Sequence, residues 1–177
     1  GSFGSHQIYP GLPVLLAGLE KIFGQRDLPP ILMIHLFSLG CLILTYKLVD
    51  LRYPRWVAVI VTFCTGINGW FLQLTNEILA DIPFLFGLML ALYGWERLRL
   101  STRRDPAQAA NESSPRPGIA GSIICLAIGL LIAASMRPTF WIVAICWVLV
   151  CIGGLLASSR RRFYAICLGI LVLAWGA

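Results

Sequence analysis

Charge is what this chain has least of. Asp, Glu, Lys and Arg make up 12% of its 177 residues, where soluble proteins carry about 25%. Together with a hydrophobic content of 58% and a mean hydropathy of +0.82, that scarcity excludes a soluble core and predicts an integral membrane protein. There is no CxxC pair and no Cys/His cluster at metal-ligand spacing, which excludes a zinc site and a disulfide framework. The six cysteines, Cys41, Cys64, Cys125, Cys146, Cys151 and Cys167, all fall inside apolar runs and read as buried free thiols. A glycine-rich phosphate loop and an internal repeat are both missing. So is any basic stretch interleaved with aromatics, which argues against a nucleic-acid partner. No signal peptide is visible. The first residue is not Met and the last, Ala177, lies inside an apolar run, so the chain is expected to be a fragment of a longer protein.

What the chain does have is apolar runs of bilayer length, about 20 residues each. Six are expected: 31–49, 56–74, 78–95, 119–136, 139–157 and 163–177, the last cut short. The expected fold is all-α, a polytopic transmembrane bundle of about six spans preceded by an extracytoplasmic segment, residues 1–30. Within that segment Leu12, Leu15, Leu16, Leu19 and Ile22 share one helical face, with Pro13 suited to a first turn and Gly24 to a stop. This pattern reads either as a helix lying along the membrane surface or as a loop helix packed on the bundle. Residues 97–118 read as a flexible cytoplasmic loop, rich in Ser, Pro, Ala and charge beyond Ser101.

Basic residues set the expected orientation. Lys47, Arg52 and Arg55 fall between the first two spans, Arg97, Arg99, Arg103, Arg104 and Arg116 between the third and fourth, and Arg160, Arg161 and Arg162 between the fifth and sixth. Simple alternation puts all three loops on one side, which the positive-inside rule makes cytoplasmic. The opposite, extracytoplasmic side then receives His6, Gln7, Tyr9, Asn68, Asn76, Glu77, Asp81 and Arg137.

Within that set, Glu77 and Asp81 lie four residues apart in TNEILADIPF. Like charges so placed on a helix repel by a few tenths of a kcal/mol, and an Asp at the bilayer centre costs about 2.5–3.5 kcal/mol. A cation, a basic side chain or a polar substrate opposite them would relieve both costs, and Arg137 is the natural partner. Simpler readings stand beside this one. Asp81, before Ile82-Pro83, suits the N-cap of a helix starting at Ile82, with Glu77 in a wet loop. Arg137, before Pro138, suits an interfacial side chain snorkelling to headgroups, as well as a phosphate ligand at a cavity mouth.

Three stretches also resemble a known family. HQIYPGLPVLLAGLEKIFG at His6–Gly24 resembles the first outer loop and juxtamembrane helix of the GT-C glycosyltransferases. NEILADIPFLFGLMLALYGWERL at Asn76–Leu98 is similar to their acidic outer-loop edge and the span after it. MRPTFWIV at Met136–Val143 is similar to the Arg-Pro-Thr turn of many bacterial members. The protein O-mannosyltransferase and aminoarabinose-transferase relatives look most alike. The resemblance implies an inverting membrane enzyme of the cell envelope. It would transfer sugar from a polyprenyl-phosphate donor to an acceptor lipid, glycan or protein on the extracytoplasmic face. It also implies that the main catalytic acid lies upstream of this chain, that Glu77 and Asp81 serve as secondary catalytic carboxylates, and that Arg137, His6 and Tyr9 bind substrate. A divalent ion fits this chemistry without being required by the sequence, and no metal ligands are assigned. A secondary transporter, or a non-enzymatic membrane protein of envelope polymer export, is the alternative.

Overall fold

The computed structural model describes residues 11–24, 28–76, 80–101, 118–136, 140–157, 164 and 167–169, without the side chains of 141 and 153–157. Within them the chain is all helical. The elements are α1 (Gly11–Phe23), α2 (Leu28–Asp50), α3 (Arg55–Gly66), α4 (Gly69–Asn76), α5 (Asp81–Ser101), α6 (Ile119–Met136) and α7 (Phe140–Ala157).

The expectation of six spans is overturned. Among the described residues, two helices, α2 and α6, are long and apolar enough to cross a membrane, or three if α3 and α4 count as one broken span. Two of the shortfalls have a local cause. The run 56–74 is interrupted at Ile67–Asn68, where α3 and α4 meet at a bend of 57°. The hydropathy of the run hides this break, but Gly66, Asn68 and Gly69 encode it. Asn68 Oδ1 accepts the backbone N–H groups of Trp70 at 3.0 Å and Phe71 at 3.3 Å, capping a new helix. Helix α5 carries Asp81, Glu96, Arg97 and Arg99 within its 21 residues, too many charges for a lipid-facing span. Helix α7 is apolar over Ile142–Ile152, and the side chains of 141 and 153–157 lie outside the described residues. Most of 163–177 lies outside the described residues. The result is a membrane-associated helical protein with a couple of apolar spans.

Helix α5 is the axis of the bundle, packed between α2 and α6. It runs antiparallel to α6 on a seam of small residues. A Cβ added at Gly94 would stand 2.5 Å from the Leu126 nitrogen, and one at Gly87 would stand 2.8 Å from the Ala133 nitrogen and the Gly129 carbonyl. Gly129 in turn meets the backbone of Ala91 and Gly87. Where lipid offers no hydrophobic drive for helices to associate, such close backbone approach supplies the van der Waals contact instead. Leu98, Leu126, Leu130 and Ala133 fill the buried cluster around the seam.

Helix α2 lies on the other face of α5 and runs parallel to it. Phe37 and Phe86 meet with ring centroids 5.2 Å apart, and Arg52, just past the end of α2, reaches Glu96 near the end of α5. The first turns of α2 run past the start of α5, where Phe71 of α4 packs on Ile34, Cys41 and Ile82. Outward faces are apolar, as bilayer contact requires: Leu36, Ile43, Phe63, Ile128 and Leu149 are all exposed. Among the cysteines, Cys41, Cys151 and Cys167 are buried as expected, whereas Cys64 and Cys146 lie on these exposed faces, and all six are free.

Helix α1 ends at Gly24, whose φ of 75° is the left-handed turn that stops a helix. Leu12, Leu15, Leu16 and Leu19 are half-buried, Ile22 is exposed, and no residue of α1 is fully buried. Gly11 sits against the Ser135 carbonyl near the end of α6, and Leu19 and Phe23 lie beside Leu32 and Leu36 of α2. The amphipathic helix therefore bridges from the end of α6 to the projecting turns of α2.

Candidate functional site

The antiparallel seam fixes which chain ends meet. Gly87 lies level with the stretch Gly129–Ala133. Asp81 at the start of α5 and Met136 at the end of α6 are each reached by continuing about 8–9 Å along their helices from that level. Gly11 at the start of α1 touches Ser135 one residue earlier. The starts of α1 and α5 and the end of α6 thus share one end of the bundle.

Of the sequence-predicted site residues, Asp81 is the one this end displays. Glu77, Arg137, His6 and Tyr9 lie outside the described residues, although the chain neighbours Asn76, Met136 and Gly11 are all placed. Asp81 is half-buried, and its helical position differs from the expected N-cap. The Phe84 N–H donates to the Ala80 carbonyl at 3.0 Å, so the helix is already under way at Asp81 and Ala80 takes the capping place. Asp81 is a first-turn acid, where the positive end of the helix dipole favours a carboxylate. Pro83 in the same turn lacks an N–H that would have no partner within the helix anyway.

The opposite end of α5 holds an arrangement that sequence reasoning missed. Glu96 is buried at 7% exposure, and Arg52 grips it from the α2–α3 turn. Nε donates to Oε1 at 2.9 Å and Nη2 to Oε2 at 2.6 Å, a bidentate pair. Arg99, one turn on, stands 3.9 Å from the same carboxylate. Hydrogen bonding to Glu96, and then its negative charge, raise the Arg52 pKa above its ordinary value. A carboxylate near a helix C-terminus opposes the dipole, so Glu96 depends on these two cations. Helix α5 continues through Ser101, which makes Arg97 and Arg99 helical although the sequence placed them in the 97–118 loop. Because α2 and α5 are parallel, Lys47, Arg52 and Arg55 share one end with Arg97 and Arg99. The third basic loop, 160–162, lies outside the described residues.

The signal for Glu96 was the single acid in the tripeptide Trp-Glu-Arg at the close of an apolar run. Its partner is 44 residues away, and only the helix register supplies it.

Among the described residues, no group of three or more His, Cys, Asp or Glu comes together in a way that could hold a metal ion. No protein-family model, curated protein or solved structure matches the chain.

Proposed function

We propose that the protein is a membrane glycosyltransferase acting at the end of the bundle where α1, α5 and α6 meet. It would use a polyprenyl-phosphate-linked sugar, with the basic end of α5 on the cytoplasmic side and the Asp81 end on the extracytoplasmic side. The observation that carries this reading is the convergence of Gly11, Asp81 and Ser135–Met136. The three stretches that resemble GT-C enzymes are distant in sequence and abut those three positions. The chemistry needs a base for the acceptor hydroxyl and cationic stabilisation for the departing phosphate. A first-turn carboxylate at Asp81, with Glu77 four residues before it and Arg137 next to Met136 in the chain, offers those groups at a membrane edge. There the donor's tail can stay in lipid.

A transporter would instead carry its ionisable groups near mid-span. Among the described residues, the middle turns of α2, α3, α5 and α6 hold no Asp, Glu, Lys or Arg, and the one histidine there, His35 of α2, is exposed with its Nδ1 2.8 Å from the Ile31 carbonyl of its own helix. The test is sugar transfer from a polyprenyl-phosphate donor by the full-length protein in proteoliposomes. Glu77→Gln, Asp81→Asn and Arg137→Ala are each expected to lower transfer by tenfold or more while membrane insertion is unchanged. Wild-type rates in all three variants would refute the assignment.

A further inference from the structure

The basic end of α5 holds a second feature, remote from the site proposed above and independent of it. Arg52, Tyr53, Glu96, Arg99 and Leu100 line a cleft of about 350 Å³. Its two arginines outnumber its one carboxylate. Arg52 uses two of its five N–H donors on Glu96, and its side chain is 49% exposed. The pair with Glu96 therefore holds the guanidinium in place while leaving one edge turned outward.

An apolar groove lies against the same helix. Leu88, Leu92 and Trp95 of α5 face Val143, Trp147 and Val150 of α7 across about 280 Å³. Trp95 and Trp147 meet edge to face at 5.3 Å within it. Leu88, Leu92, Trp95 and Arg99 follow one another at helical spacing on a single face of α5. The groove therefore runs along that face toward Arg99, which belongs to the cleft. Apolar wall and cationic head are joined in the order of an amphiphile.

We infer that the cleft and groove together form a binding site for one anionic phospholipid. The phosphate would sit on Arg52 and Arg99, and an acyl chain would lie along Leu88, Leu92 and Trp147. Charge complementarity selects an anionic headgroup over a zwitterionic one, because the cleft carries a net positive charge. The groove selects a lipid over a free phosphate ester, because a water-soluble phosphate leaves its apolar walls uncovered.

The full-length protein, purified in detergent and incubated with phosphatidylglycerol or phosphatidylcholine of matched chains, tests this by native mass spectrometry. The expected result is preferential retention of phosphatidylglycerol with a raised melting temperature, and no displacement by excess glycerol phosphate. Arg99→Gln leaves the Arg52–Glu96 pair intact and should weaken phosphatidylglycerol retention about fivefold, the weight of one cation at an anionic surface. Leu92→Trp, which fills the groove, should weaken it without altering the arginines. Equal retention of both lipids by the wild type would overturn the inference, as would displacement by glycerol phosphate. Unchanged retention in both variants would overturn it too. The wild-type comparison decides the matter even if a variant fails to fold.

Discussion

Two acids stand on α5 about four turns apart, and the helix treats them oppositely. Asp81 lies in the first turn, half-buried, where the dipole favours its charge. Glu96 lies near the last turn, buried, where the dipole opposes it, and it is held by a bidentate arginine from another helix. An acid in a favourable field draws part of its stabilisation from the helix itself. An acid in an unfavourable field persists only where the fold supplies cations. Glu96 therefore reads as a clamp between α2 and α5, and Asp81 as a residue whose worth must show in activity.

The largest expected effect removes the ground on which both acids stand. Gly129→Leu drives a branched side chain into the backbone of Gly87 and Ala91. Overpacking of this kind costs about 3 kcal/mol or more. Both ends of α5 would lose their register against α6, and the protein should fail to give a monodisperse peak on detergent size-exclusion. Next comes Arg52→Ala, which leaves Glu96 buried and poorly paired. Breaking a fully buried pair costs about 3–5 kcal/mol. Arg52 is half in solvent, so about 2 kcal/mol is expected after screening, read as a fall in melting temperature. The double variant Arg52→Met/Glu96→Met should recover most of that loss. The raised arginine pKa fixes the pH dependence. The pair's contribution is fully present below the ordinary arginine value and is lost only as pH rises past the raised one. Stability should thus show no titration of Arg52 across neutral pH. Wild-type melting of Arg52→Ala would show that the clamp contributes nothing.

A smaller effect is confined to the Asp81 end. Asn68→Ala removes the side-chain acceptor for the Trp70 and Phe71 N–H groups, a loss of about 1 kcal/mol. It should loosen α4 and, through Phe71, the packing on Ile82, leaving the Arg52–Glu96 end undisturbed. Faster hydrogen exchange in 69–76 with unchanged exchange in 90–100 is the expected pattern.

How much of this was legible in the sequence follows from the range of each interaction. The bounds of α6, Ile119–Met136, were readable because an apolar run flanked by polar residues is a local signal. Gly24 was readable as a stop for the same reason. The break at Asn68 was not, because averaging hydropathy over a span dilutes Gly66, Asn68 and Gly69 among Phe, Trp and Leu. It accounts for one of the spans expected from the sequence. Glu96 was invisible as a clamp because its partner is fixed by the parallel register of α2 on α5, which no local pattern states. The polar residue types of TNEILADIPF and MRPTFWIV were legible, and the α5–α6 seam places Asp81 and Met136 at one end of the bundle, which the sequence alone did not show.

The smallest stability effect is expected at Asp81, and it separates the two ends most cleanly. Asp81→Asn keeps the shape of the side chain and removes a charge worth about 0.3–1 kcal/mol at a helix N-terminus. The melting temperature should therefore shift less than in any variant above. If Asp81 were only a dipole partner, sugar transfer would fall no further than this small loss of folded protein. A carboxylate that positions substrate predicts a different split: transfer lowered tenfold or more with folding nearly intact. Glu96→Gln supplies the mirror case, with melting lowered and transfer per folded molecule unchanged. Measuring rate and melting temperature on the same two preparations assigns each acid its role. The contrast collapses if both variants lose activity only in proportion to folded protein.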